Sequence, residues 1–157
     1  MPASIPTNQT NALGQPIGYD VPGWTPRAEP PATQMVGRTV TLEPLSASRH
    51  GDDLFDAFAA DESGAMWTYL AIGPFAQDRS GFDTWMQQCE ASRDPLFFAC
   101  RSAETGRMLG YASYLRIEPP VGVIEVGHIT FGPELQRTVM ATEAMYLDTS
   151  KNLFLLA

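Results

Sequence analysis

Ile124-Glu125-Val126-Gly127-His128-Ile129-Thr130-Phe131-Gly132-Pro133, followed after Glu134 and Leu135 by Gln136-Arg137-Thr138-Val139-Met140-Ala141-Thr142-Glu143-Ala144, is the stretch on which the fold turns. β-branched and aromatic residues predict a strand from Val123 to Phe131. Gly132-Pro133 ends it. Met140, Ala144 and Leu147 then fall on one stripe of a helix, with good helix formers between them. A strand end, a Gly-Pro turn and a helix start together expose backbone N–H groups that lack intrahelical acceptors, and the positive end of the helix dipole lies at the same place. Such a junction suits an anion.

Working outward, Leu96 to Arg101 and Met108 to Ile117 read as two further strands, joined by the turn Glu104-Thr105-Gly106, and Pro119-Pro120 leads into the strand already described. Connections this short imply an antiparallel meander. Upstream, a helix is expected from about Arg79 to Arg93, with Phe82, Trp85, Met86 and Cys89 on its inner face and Pro95 as its stop. An earlier helix, about 49 to 62, carries Leu54, Phe55 and Phe58 on one face behind a Ser48 cap. His50 reads as a surface or capping residue just inside it. Between the two helices Gly64 and Gly73-Pro74 flank Met66-Trp67-Thr68-Tyr69-Leu70, which periodicity does not assign. Arg38 to Leu45 alternates polar and apolar as a half-buried strand closed by Pro44. The order is strand, two helices, three antiparallel strands, helix: an α+β fold with helices packed on a mixed, mostly antiparallel sheet.

Residues 1–36 hold seven of the thirteen prolines and only three charged residues, Asp20, Arg27 and Glu29. Proline denies both helix and ladder hydrogen bonds, so an extended arm is expected. Its apolar set Ile17, Tyr19, Val21 and Trp24 predicts that the arm packs on the domain formed by 37–157.

The 157 residues, 44% hydrophobic, suffice for one domain with a core. No run reaches the roughly 18 to 20 apolar residues of a membrane span, and the first residues lack the pattern of a signal peptide, so a cytoplasmic protein without membrane contact is expected. Ten Lys and Arg against eighteen Asp and Glu give a net charge of −8, which leaves no basic stretch for nucleic acid and suits a cationic amine. Acidity of this kind also serves solubility. Cys89 and Cys100 are not paired as CxxC, which argues against a zinc site, and no metal is expected; both read as small buried apolar residues.

The strand, turn and helix quoted above resemble the fourth strand and third helix of the GNAT N-acetyltransferases. Gly106-Arg107-Met108-Leu109-Gly110-Tyr111 resembles the preceding strand in the ribosomal-protein-alanine-acetyltransferase-like branch, and Asn11-Ala12-Leu13-Gly14-Gln15-Pro16-Ile17-Gly18 resembles one subgroup's N-terminal arm. The resemblance implies transfer of an acetyl group from acetyl-CoA, as co-substrate, to a primary amine, either a small molecule or a protein N-terminus. It implies that Gln136, Arg137, Thr138, Val139, Met140, Ala141 and Thr142 hold the pyrophosphate. It also implies that Ile129, Thr130 and Phe131 pair their backbone with the pantetheine amides, as an extended ligand adds to a strand edge. Val139 stands where the family's loop has its central glycine, and valine disfavours positive φ, so a closer steric limit on the phosphate is expected there.

Direct attack of an amine on a thioester needs a neutral amine, a route for its proton and donors for the developing oxyanion. Glu125 and His128 are the titratable groups on the strand. Strict alternation sets them on opposite faces. The resemblance points to Glu125 as the catalytic base, since several members of the family use a carboxylate on this strand; the alternative is that Glu125 orders a loop and His128 packs in the core. Glu143 is expected to stabilise the start of its helix. Trp67, Tyr69, Phe75, Trp85 and the methionines read either as core or as the lining of a substrate cleft.

After Tyr146-Leu147 the family continues into a strand, a helix and two further strands, whereas Asp148 to Ala157 does not resemble that continuation. The expectation is a partial domain lacking its C-terminal strands and helix, with Leu153-Phe154-Leu155-Leu156 extending the helix or forming a makeshift strand. Its open sheet edge is expected to promote self-association. The second functional reading is a catalytically silent remnant that binds coenzyme A weakly or needs a partner chain.

Overall fold

A computed structural model of the chain describes residues 9–75 and 77–155, with side chains through residue 150. The arm contains a small antiparallel hairpin, β1 (Gln9–Thr10) and β2 (Pro16–Ile17), and the domain follows as β3 (Met35–Val36), β4 (Val40–Pro44), α1 (Ala47–Ala59), a 3₁₀ turn (Ala65–Trp67), α2 (Arg79–Ala91), β5 (Leu96–Ser102), β6 (Met108–Glu118), β7 (Val123–Phe131) and α3 (Val139–Leu155). Strands β3 to β7 form one antiparallel sheet in sequence order, with β7 at its outer edge. The α+β arrangement expected from the sequence is therefore the one that forms. Two elements were not anticipated: the two-residue strand β3, and the β1–β2 hairpin closed by Asn11, whose side-chain oxygen accepts from the amides of Leu13 and Gln15. The run Leu153 to Leu156 enters α3 through Leu155; its side chains, Leu156 and residues 1–8 lie outside the described residues.

The sheet separates two cores. On one face α1 and α2 bury Leu54, Phe58, Phe82 and Met86 against Phe97 and Tyr111. Edge-to-face ring contacts tie this layer together, with Phe58 5.5 Å from Trp67 and 5.6 Å from Tyr111 between centroids. On the other face α3 packs Ala144, Met140 and Leu147 against Met35, Val40, Leu42, Phe98 and Tyr114. Cys89 and Cys100 are free and buried, one in each core.

The start of α1 differs from the sequence reading. Ser46, not Ser48, precedes the helix, and its hydroxyl makes no cap bond. The cap is supplied by His50, whose Nδ1 accepts from the Ser46 amide at 3.1 Å, while Glu90 accepts from the Ala47 amide at 3.1 Å. His50 is thus a capping residue but not a surface one, being 1% exposed. Burial holds its pKa below the usual imidazole value and keeps the ring neutral, with Nε2 facing Glu43 at 3.6 Å. Glu43 also receives Arg101 at 2.5 Å and Arg49 at 3.4 Å. The arm meets the domain at the β6–β7 turn, where the Trp24 indole donates to the Pro120 carbonyl (2.8 Å) and the Arg27 amide to that of Pro119 (2.9 Å).

Candidate functional site

Strand β7 is not regular. Its register against β6 pairs Gly127 with Ser113 and Thr130 with Tyr111, so His128 and Ile129 occupy a bulge without partners in the register. His128 takes φ +46, left-handed backbone that a non-glycine residue adopts at a cost of roughly 1–3 kcal/mol. The bulge changes which way the side chains go. Ser113 pairs with Phe97 on its other side, and Phe97 belongs to the α1/α2 core. The His128 ring lies 5.3 Å from the Phe97 ring, and its Nδ1 is 2.9 Å from Ser113 Oγ. Glu125 is the partner of Leu115, two residues along β6 from Ser113 and therefore on the same face. The opposite-face expectation for Glu125 and His128 is thus overturned, because His128 itself sits in the bulge, where strict alternation lapses. His128 is not a core residue either; it is exposed at the edge of that core. Glu125 is also exposed and is engaged by Arg116, with Oε2 3.2 Å from Nε.

Beyond β7 the chain turns tightly. The Gly132 amide donates to Leu109 O, and the amides of Leu135 and Gln136 both donate to Gly132 O. The Gln136 side chain closes the turn by donating to Phe131 O at 2.7 Å. The left-handed residue of this loop is Arg137 (φ +60), not Val139. Val139 is the first residue of α3, 70% exposed, and lines the cavity at the helix start, so its Cβ bears on that cavity and not on the backbone of the turn. Thr138 caps the helix: its Oγ1 accepts from the Ala141 amide (3.1 Å) and donates to Leu135 O (2.6 Å). Thr142 turns back, its amide and hydroxyl both bonding Thr138 O at 3.3 Å. The amides of Val139 and Met140, first in the helix, have no intrahelical acceptor. They open beside a cavity of about 460 Å³ that Arg38 and Thr39 also line. A helix N-terminus with a guanidinium beside it has the chemistry to hold a phosphate, and these donors fit the pyrophosphate of a coenzyme A thioester, against the opposing charge of Glu104 in the same lining and of Glu143, 3.8 Å from Arg38 Nε.

Ile129, Thr130 and Phe131 lie along β7, directly before this loop. Ile129 is exposed, Thr130 is buried and Phe131 packs partly into the α3 core. Their strand forms the outer edge of the sheet among the described residues, which leaves one backbone row for an extended ligand.

Glu143 has a different task from the one its position suggested. Its carboxylate leaves α3 and accepts from the Thr39 hydroxyl (2.5 Å) and from the amides of Arg38 (2.8 Å) and Thr39 (2.7 Å). These bonds, that of the Thr39 hydroxyl foremost, hold its pKa down to about 2. It fastens the start of α3 to the β3–β4 turn. Gly37 makes the approach feasible, since a Cβ there would lie 2.7 Å from Val40 O and 2.8 Å from Glu143 Cδ. The sequence reading missed Arg38, Ser113 and this use of Glu143; a glycine before Arg38 was the one local signal. Of the aromatic residues, Trp67 and Phe75 line a cavity of about 500 Å³ with Phe55, Phe58 and Phe82, and Asp61 and Glu62 stand at its wall. Trp85 instead packs on Phe97 and donates to the Tyr111 hydroxyl, and Tyr69 is 98% exposed.

An antiparallel sheet with helices on both faces, whose edge strand bulges and then runs into a capped helix N-terminus, defines the α+β class of the chain. Two solved structures share it closely. A GCN5-related N-acetyltransferase from Brucella melitensis is 39% identical, with a TM-score of 0.81 over 84% of this chain and 59% of that one. A GNAT-family protein from Chromobacterium violaceum is 35% identical, with a TM-score of 0.78 over 90% of this chain and 70% of that one. The chain belongs to the GNAT family of acetyltransferases. A third structure, from T. thermophilus, shares the fold at 20% identity and a TM-score of 0.64. No protein-family model and no curated protein matches the chain. The chain spans 59% of the Brucella protein's length.

Proposed function

We propose that this chain binds acetyl-CoA and transfers its acetyl group to a primary amine, a small molecule or a protein N-terminus, by direct attack. The observation that carries this reading is that the β7 edge leads directly into the α3 N-terminus, so that a strand edge suited to amide pairing is followed by helix N–H groups without intrahelical acceptors. Acetyl-CoA supplies the activated acyl group. Ile129, Thr130 and Phe131 pair with pantetheine through their backbone, and Gln136 to Thr142 form the pyrophosphate turn, in which Val139 and Met140 donate, Thr138 caps and Gln136 braces. The acceptor enters on the α1/α2 face, where the walls of the aromatic cavity and the acidic side chains Asp61 and Glu62 suit an ammonium group. Glu125, on the same face, accepts the proton that turns the ammonium into a nucleophilic amine.

Calorimetry with acetyl-CoA, paired with a thiol-release assay over a panel of amines, tests the reading. Saturable binding and turnover are expected, and Glu125→Gln is expected to slow turnover by roughly 10²-fold or more at neutral pH, the range for loss of a positioned base. An unchanged rate removes Glu125 from that role. Binding without turnover supports instead the second reading, a silent member that holds coenzyme A or acts only with a partner chain.

A further inference from the structure

Ser113 and His128 form a pair that no step so far requires, and their hydrogen bonds determine more than their distance. Ser113 Oγ lies 3.3 Å from Gly127 O and 2.9 Å from His128 Nδ1. The carbonyl can only accept, and the hydroxyl has one proton. Both contacts are satisfied together only if Ser113 donates to Gly127 O and accepts from an Nδ1–H of His128. That assignment leaves the lone pair of the neutral ring on Nε2. The ring stands against Phe97, is exposed, and is held by a residue in left-handed backbone at the centre of the bulge. Backbone strain of this kind concentrates where a side chain must be aimed, and the same bulge brings His128 onto the face that carries Glu125.

We infer that His128 is a second proton carrier of the site and that Ser113 is its positioning residue, fixing the tautomer whose Nε2 accepts. The inference rests on the acetyl-transfer reading and divides its two protons. Glu125 takes the proton of the incoming ammonium and releases it to solvent. As the C–N bond forms and the C–S bond breaks, the amine loses one further proton to His128 Nε2. The imidazolium returns that proton to the departing thiolate sulfur, so that amide and thiol are formed and the ring ends neutral.

Nitrogen-15 NMR of the imidazole in the ligand-free chain, at a pH where the ring is neutral, tests the tautomer without any catalysis. The expected result is a protonated Nδ1 in the parent and a shift towards protonated Nε2 in Ser113→Ala. Protonated Nε2 in the parent overturns the inference while leaving acetyl transfer untouched. In the kinetic arm, His128→Asn is chosen because asparagine tolerates the left-handed backbone. It is expected to bind acetyl-CoA with parental affinity by calorimetry and to lose about 10²-fold in turnover. Turnover at the parental rate in that variant also overturns the inference. A parent chain that binds no acetyl-CoA sinks the acetyl-transfer reading and this proton path with it, a result recognisable because the NMR tautomer would be unaffected.

Discussion

Phe82→Ala is expected to lower the free energy of unfolding by about 3–5 kcal/mol, the range for deleting a buried aromatic ring. Against a total that for domains of this kind is about 5–15 kcal/mol, that is a loss the chain tolerates poorly. Phe82 is fully buried and its ring meets those of Phe55, Phe75 and Phe58 at 5.4, 5.3 and 6.1 Å. It is also one wall of the 500 Å³ cavity, so its removal merges a new void with an existing space that the neighbouring rings cannot close. Urea denaturation at fixed temperature measures the difference. Tyr69→Ala provides the control: at 98% exposure it is expected to change stability by no more than about 0.5 kcal/mol. Equal effects for the two would show that the aromatic layer does not bear the weight assigned to it.

Asp148→Asn is expected to act in the opposite sense at neutral pH. Asp148, on α3, is 1% exposed, and burial pushes its pKa up from 3.8 to about 6, partly opposed by a hydrogen bond from Tyr114. A carboxyl with a raised folded pKa favours folding in its protonated form. Its contribution is fully present below the unfolded value and is lost as pH rises through the folded one, so the window lies between about pH 4 and pH 6. The difference corresponds to about 3 kcal/mol at neutral pH. The amide keeps the shape and removes the charge. Chemical denaturation of parent and variant at several pH values should give curves that converge near pH 4 and separate in favour of D148N towards pH 7. A variant less stable than the parent at pH 7 would mean that the ionised carboxylate is a stabilising partner. His50 slopes the other way, since burial depresses its pKa and its neutral form is lost as pH falls; the variant-minus-parent difference cancels that contribution.

How far the sequence could be read depended on the range of each interaction. The order of the principal strands and helices was legible because Leu54, Phe55 and Phe58, or Met140, Ala144 and Leu147, declare a helical face within a few residues, and Gly132-Pro133 marks the junction locally. The expectation of an anion site at this junction came from backbone geometry alone. The bulge at His128 and Ile129 did not follow, because alternation is blind to an extra residue in one strand; Gly127, a glycine inside a strand, was the available hint. The partners of Glu143 lie 104 and 105 residues away, at Thr39 and Arg38, and no local pattern encodes such a bond. Of the two readings of His50 the capping one held and the surface one failed for a related reason: a titratable side chain on a helix's first turns reads as exposed until Glu43, from the neighbouring strand, is known to stand over it.

Phe97 and Phe98, adjacent in β5, face different cores, and the backbone between them is a partition. Energetic damage should not cross it. Phe82 and Asp148 lie on opposite sides of the sheet, so the increment from D148N should be the same in a chain already weakened by F82A as in the parent, and the double variant should recover at pH 7 most of what the lost ring removed. A sheet that insulates its two sides in this way lets the α1/α2 side be reshaped while the other keeps α3 and its capped start in place.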